Sequence, residues 1–402
     1  GYFLGDPAVV EILTREAPGA IQELDDWGCE FNRTPSGELD QRFFGAHKYR
    51  RTCYAGDYTG RAILETLARK VEEMAIPIHE GQYVSKLLVH ENVCFGAMAF
   101  DIQSGERTVY LADAVVLAAG GHTRIWRWSS SRRDENTGDG VYLALDAGCR
   151  VADMELVQFH PTGMVWPEYM AGTLVTEAVR GEGGRLYNSQ GERYMQRYDP
   201  ERLELSTRDR VALANYTEIQ AGRAGEHGGV FLDISHKDKK TIIEKLPRMY
   251  RQFMESQLLD IARDRMEVAP TAHYSMGGVV VEPGTHKTDV EGLYAAGEVT
   301  CGVHGANRLG GNSLAEILVF GRRAGLAAAQ YSAGLGVQVR DQSAIQSAHD
   351  DLDSFLKTGD ELTRPLQRAL RNNMWQNCGV IRDRERLQKG LETLDEIRDC
   401  LL

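Results

Sequence analysis

The stretch His304-Gly305-Ala306-Asn307-Arg308-Leu309-Gly310-Gly311-Asn312-Ser313-Leu314 sets two adjacent glycines directly ahead of a helical pattern that runs over about 313–329. Gly310 and Gly311 permit close backbone approach, and the helix opened by Asn312-Ser313-Leu314 presents free N–H groups and the positive end of its dipole. Such an end can hold a pyrophosphate or the electron-rich N1–C2 carbonyl edge of a reduced flavin. Just upstream, Leu293-Tyr294-Ala295-Ala296-Gly297-Glu298 is a short apolar strand ending in small residues and then an acid. That acid can hydrogen-bond a ribityl or ribose hydroxyl at the carboxyl edge of a sheet, or it can be a surface Glu after a buried strand. A second apolar run, 114–121, ends in Ala118-Ala119-Gly120-Gly121. It predicts a parallel strand buried on both faces that stops near a ligand.

Outward from these strands the texture of the chain changes several times. Residues 7–27 carry Val9, Ile12, Leu13, Ile21 and Leu24 at helical spacing. After a polar stretch over 31–59, residues 61–73 place Ile63, Leu64, Leu67 and Val71 on one helix face. The segments 76–79, 84–90, 94–101 and 106–111 are β-rich and predict a crossed hairpin or meander. From about 153 to about 267 there is more Arg, Glu and Tyr, with helical patterns around 238–262, the texture of an inserted α+β domain. A strand-rich return over 271–300 leads back to the opening stretch. A polar linker, 330–340, precedes a helical tail, 341–402, in which Leu352, Phe355, Leu366, Leu370, Leu387, Leu391 and Leu394 recur at helical intervals.

At 402 residues the chain is long enough for two or three domains and a large buried site. Hydrophobic residues make up 42% and charged residues 26%, and no apolar run approaches the length of a membrane span. A formal net charge of −12 gives no support to a nucleic-acid binder. It does not exclude anionic substrates, which local arginines decide. The seven cysteines include no C-x-x-C pair, so the chain offers no zinc or iron–sulfur ligand pattern of its own. Their odd count and wide spacing suit a reducing compartment, and no signal peptide is evident.

The 304–314 run, with the preceding A-A-G-E-V, resembles the flavoprotein subunits of succinate dehydrogenase and fumarate reductase, and also L-aspartate oxidase. The similarity extends through N-T-G-D-G (136–140), M-E-L-V-Q-F-H-P-T (154–162), T-E-A-V-R-G-E-G-G (176–184), S-T-R-D-R-V (206–211) and P-T-A-H-Y-S-M-G-G-V (270–279), in order. The resemblance implies an α/β architecture: a two-nucleotide FAD-binding Rossmann-like domain, an inserted α+β capping domain and a C-terminal helical domain. The corresponding divisions are 1–152 for the first part of the FAD domain, 153–267 for the cap, 268–332 for the second part and 340–402 for an incomplete helical domain.

The same resemblance implies FAD as cofactor and a C4 dicarboxylate as substrate. Glu298 would hold the ribityl chain, and Ser313 and Leu314 would present backbone N–H groups to the isoalloxazine. Asp139, Asp57 and Thr59 fall in segments similar to other flavin-contacting stretches. A dicarboxylate must be stripped of water at both ends, which calls for cationic and hydrogen-bonding partners on either side of flavin N5. The family pattern gives His273 and Arg308 to one carboxylate, and His160 and Thr176 to the other. It gives proton transfer to Arg208 of T-R-D. Arginine is a poor acid in water, with a pKa above about 12. A relay through Glu177 and Arg180 would have to restore its proton, although an i,i+3 pair can equally be a surface ion pair.

Expected before residue 1 are the G-x-G-x-x-G turn of an FAD domain and the histidine that carries a covalent flavin link in part of the family. Covalent attachment is therefore left open by these residues, and the chain reads as a truncated or partly ordered flavoprotein. Met276 and Leu309-Gly310-Gly311 favour the succinate/fumarate branch. Phe231-Leu232-Asp233-Ile234-Ser235-His236 is closer to the oxidase, and a cofactor-free scaffold state is a further alternative. The resemblance also implies an iron–sulfur partner subunit, a membrane anchor, and a peripheral place at the inner face of the membrane, cytoplasmic or matrix.

Overall fold

A computed structural model describes residues 1–44, 47–356 and 362–400. The two small-residue strands meet as the sequence predicts. Val115–Leu117 lies parallel to Leu293–Ala295, with Val115 opposite Leu293 and Leu117 opposite Ala295. Both strands deliver their glycine-rich ends to the same edge. The helix Asp139–Asp146 packs tightly there, because a Cβ on Gly140 would come within 2.8 Å of the Ala119 Cβ and 2.9 Å of the Val299 Cγ2. Leu117, Val141, Ala144, Leu293, Ala295 and Val299 form the apolar core between them.

The chain between these strands crosses over through a four-stranded antiparallel sheet in the order Val157–Met164, Met266–Ser275, Val230–Asp233, Arg185–Tyr187. Its core gathers Leu186, Val211, Val230, Leu232, Met249, Phe253 and Val268, so helices Arg208–Gln220 and Pro247–Gln257 are part of the same packed unit. A second antiparallel sheet is the expected meander, Gln82–His90, Val93–Asp101 and Arg107–Leu111. The fourth β-rich segment, 76–79, forms no strand. Ala75 ends the preceding helix at φ 52°, Pro77 has no N–H to give a ladder, and Ile76 and Ile78 stay exposed.

Helix Asn312–Gly334 runs away from the strand edge and packs on Pro7–Asp26 through Val9, Leu13, Val319 and Phe320. Helix Thr59–Glu73 comes in beside it, where Ile63 joins a cluster that includes Leu314 and Leu318. In the tail, Gln342–Phe355 covers the meander through Ala348 on Leu88, Phe95 and Met98. Thr363–Asn377 seats Met374 and Trp375 on Trp126 and Phe159. Arg384–Asp399 follows it. The parts of the expected tail at 357–361 and 401–402 lie outside the described residues. The observed architecture is the expected one: an α/β unit around the parallel strand pair, an inserted α+β unit and C-terminal helices.

Candidate active site

At the strand edge Glu298 is half-buried, and its carboxylate accepts from the Ser275 N–H at 2.9 Å and from Asn136 Nδ2 at 3.2 Å. Burial pushes its pKa up to about 7, against the pull of these two donors. Gly121 passes so close that a Cβ there would lie 2.6 Å from both Glu298 Oε1 and Ser275 Oγ. Only glycine leaves this acid accessible. Gly311 adopts φ 85° and starts helix Asn312–Gly334 with no side-chain cap. The Ser313 N–H has no acceptor among the described residues, whereas the Leu314 N–H closes on Gly311 O at 3.2 Å.

The two histidines come from neighbouring strands, Val157–Met164 and Met266–Ser275. Along this ladder Ala272 faces Phe159 and Tyr274 faces Gln158, so His273 is the extra residue of a bulge. A second irregularity falls at Pro161 and Pro270, neither of which can donate to the ladder. The bulges re-aim the side chains, and the His160 and His273 rings end 5.1 Å apart. Burial first, then the nearby arginines, hold both imidazoles well below their ordinary pKa, so both are neutral at pH 7. His160 Nδ1 lies 3.2 Å from the Thr162 N–H and 3.3 Å from the Thr162 carbonyl oxygen, so the Thr162 backbone fixes the orientation of the ring. His273 Nδ1 shares a 2.7 Å hydrogen bond with the Ser130 hydroxyl. Thr176 follows Val175, whose N–H and C=O both bond Thr162.

Arg208 is the first residue of helix Arg208–Gln220, and its Nε and Nη2 donate to Glu177 Oε2 at 2.8 and 2.6 Å. Behind Glu177 lies Arg180, fully buried, with Nη2 3.8 Å from Glu177 Oε1 and Nη1 bonded to the Glu204 carbonyl. The pair at 177 and 180 is thus a buried ion pair and not a surface one. Arg308 is 4% exposed, and its side-chain hydrogen bonds among the described residues go to the neutral Ser313 and Gln158. Its Nη1 donates to Ser313 Oγ at 3.0 Å, its Nε has no partner among those residues, and desolvation lowers its pKa to about 10. Burying a cation with no carboxylate in direct contact among the described residues is costly.

Sequence reasoning missed Gln158, although it stands two residues before His160 on the same strand and hence on the same face. Its Oε1 accepts from Arg208 Nη1 at 3.1 Å and from Arg308 Nη2 at 3.2 Å. Its Nε2 is fixed on Asn307 Oδ1 and Arg308 O, both at 2.7 Å. Asn136 and Ser130 were likewise unremarked. Of the remaining candidates, Thr59 accepts from the Ala55 N–H at the start of its helix, and Gly60 adjoins Leu314. Asp139 begins its helix and accepts from the Tyr83 hydroxyl at 3.1 Å. Asp57 accepts from the Arg248 N–H at the first turn of Pro247–Gln257, and burial raises its pKa. Among the described residues no cluster of His, Cys, Asp and Glu could hold a metal ion, and no helix is long and apolar enough to cross a membrane.

Parallel strands ending at a half-buried acid, beside an uncapped helix start, are the arrangement of a dinucleotide-dependent oxidoreductase. The family described as FAD binding domain matches residues 1–314, and the family described as fumarate reductase flavoprotein C-term matches 367–401. One of the subunits of the fumarate reductase (CoM/CoB) of Methanothermobacter marburgensis is 44% identical over 401 residues, covering 100% of this chain and 72% of that one. The succinate dehydrogenase flavoprotein subunit of Rickettsia felis is 36% identical, covering 99% and 70%. A mutant of the E. coli quinol fumarate reductase superposes with a TM-score of 0.91 at 34% identity, covering 99% of this chain and 70% of that one. The chain belongs to the FAD-dependent flavoprotein subunits of the succinate dehydrogenase and fumarate reductase family. The residues present fit FAD, since Gly121 leaves room beside Glu298 for a hydroxyl and the Ser313 N–H, which has no acceptor among the described residues, can meet a carbonyl edge.

Proposed function

We propose that this chain interconverts succinate and fumarate. The observation that carries the reading is Gln158, whose one carbonyl oxygen holds Arg208 and Arg308 side by side. Bound FAD supplies the hydride exchange, at N5, with one carbon of the substrate. Arg308 and His273 fix one carboxylate, and His160 and Thr176 the other. The neutral imidazoles act there as hydrogen-bond donors and polarise without adding charge. Arg208 gives the proton to the neighbouring carbon, or takes it in the oxidative direction, and Glu177 with Arg180 restores it. Glu298, Ser313 and Leu314 hold the ribityl and isoalloxazine parts, with Asp139, Asp57 and Thr59 in the surrounding wall.

In this reading residues 1–152 and 268–332 make the FAD-binding domain, 153–267 the cap and 340–402 the helical domain. Strand Met266–Ser275 crosses the 267/268 division, so it ties cap to cofactor domain. Electrons pass to or from an iron–sulfur partner docked on a membrane anchor, with this chain peripheral at the inner face. The names of the relatives, which are subunits, support that arrangement. Succinate-dependent dye reduction and fumarate-dependent oxidation of a reduced viologen test the activity, with aspartate-dependent peroxide formation as the contrast. Near-normal succinate–fumarate turnover in Arg208→Gln with FAD bound would overturn the proton-transfer assignment.

A further inference from the structure

We infer that Tyr274, tethered by Glu316 and His304, is a positioning residue that aims the Arg308 guanidinium at a substrate carboxylate. The inference rests on the dicarboxylate reading of Arg308. Arg308 is a buried cation whose hydrogen bonds, to Ser313 and Gln158, engage Nη1 and Nη2 but leave Nε unpaired among the described residues. Two neutral acceptors on one edge do not by themselves fix the plane of a guanidinium. The missing constraint is the Tyr274 ring, whose centroid lies 4.3 Å from Arg308 Cζ. A desolvated cation–π contact of this kind sets a plane without occupying a donor.

The ring is itself held. The Tyr274 hydroxyl donates to Glu316 Oε2, and His304 Nε2 donates to the same oxygen at 2.8 Å. The His304 ring meets the Tyr274 ring edge-on at 5.3 Å. Tyr274, Glu316 and His304 are 6%, 1% and 6% exposed, so water does not compete with this tether. On the strand ladder Tyr274 faces Gln158, so the ring and the amide that both contact Arg308 come from paired positions of neighbouring strands. The device keeps negative charge behind the ring. A carboxylate set directly on Arg308 would fill the fork that the substrate needs.

The test is calorimetric binding of malonate, a dicarboxylate that cannot be dehydrogenated across a C–C bond, to the FAD-loaded full chain. Arg308→Lys is expected to weaken binding at least tenfold. Tyr274→Leu, which removes the ring, weakens it about as much, and Tyr274→Phe, which keeps the ring and cuts the tether, weakens it about threefold to fivefold. In the Arg308→Lys background Tyr274→Phe adds less than twofold, because the planar group it served is gone. An equal loss from Tyr274→Phe in both backgrounds would mark a merely structural residue and overturn the inference. So would wild-type affinity in Tyr274→Phe. Should Tyr274→Leu fail to fold, the Tyr274→Phe cycle decides. Wild-type malonate affinity in Arg308→Lys would instead remove the dicarboxylate reading of Arg308 and this inference with it.

Discussion

Two nitrogens of Arg208 converge on one oxygen of Glu177, Nε at 2.8 Å and Nη2 at 2.6 Å, in a site where Glu177 is 4% exposed. The second Glu177 oxygen faces Arg180, and the third Arg208 nitrogen faces Gln158. One carboxylate therefore offsets two buried guanidiniums, with a third, Arg308, on the far side of Gln158. Such a cluster is unfavourable in isolation, because burial of unpaired cations costs several kcal/mol. It becomes reasonable where a dianion is the expected guest.

Glu177→Gln keeps the shape and an acceptor for Arg208 but removes the charge that links Arg208 to Arg180. Turnover is expected to fall at least ~100-fold, in the range of a lost general acid–base step, and folding to weaken by about 3 kcal/mol. Steady-state fumarate reduction and urea unfolding measure the two effects separately. Turnover within tenfold of wild type, with FAD retained, would sink the relay.

Glu298 gives a pH signature of opposite sign from the histidines. Its pKa rises from 4.5 to about 7 on folding, so the folded state binds the proton more tightly than the unfolded one. Its stabilising contribution is complete below pH ~4.5, is lost as pH rises towards 7, and amounts to about 3 kcal/mol at most. His160 and His273, depressed by burial, instead cost stability as pH falls below their unfolded value. Only the difference between wild type and Glu298→Gln isolates the acid. In cofactor-free protein, the unfolding free energy of Glu298→Gln should gain on wild type between pH 4.5 and 7.5 and then level off. Parallel curves across that interval would refute a proton held at Glu298.

What the sequence made legible was local. The glycine pairs, the apolar strand at 293–295 and the helix start at 312 are each written in a few adjacent residues, and the structure assembles them as those residues imply. Residues 76–79 misled because β-rich composition says nothing about a partner strand, and Pro77 had already removed the ladder donor. The role of Gln158 was hidden for a different reason. Its partners Arg208 and Arg308 lie 50 and 150 residues away, and only the closed fold makes one amide serve both. The His273 bulge is equally silent in sequence, since it exists only relative to the register of Val157–Met164. Asp57, grouped by resemblance with flavin-contacting stretches, accepts from the Arg248 backbone 191 residues away.

Gly121→Ala tests the cradle without replacing a polar side chain. The added methyl would fall 2.6 Å from Glu298 Oε1 and Ser275 Oγ, which displaces the carboxylate from its two donors. Loss of a hydrogen bond to a charged group is worth about 1.5–3 kcal/mol, so FAD affinity should drop roughly 10- to 100-fold. Flavin retention on gel filtration and a fluorescence titration with added FAD read this directly. Unchanged affinity would remove Glu298 from the cofactor contacts.

Arg308→Met separates stability from function. Desolvation lowers the Arg308 pKa to about 10, which means burial disfavours the charged form by about 3 kcal/mol relative to water. A flexible apolar side chain of similar length removes that strain, leaves Gln158 bonded to Arg208 and fills the same space beside the Tyr274 ring. The variant should therefore unfold at higher urea than wild type, by roughly 1–3 kcal/mol, while losing dicarboxylate binding by ~100-fold or more. Greater stability combined with lost affinity would identify Arg308 as a cation kept for its ligand. A less stable variant would show that Arg308 contributes to the fold itself, and the absence of a counter-ion would then need another explanation.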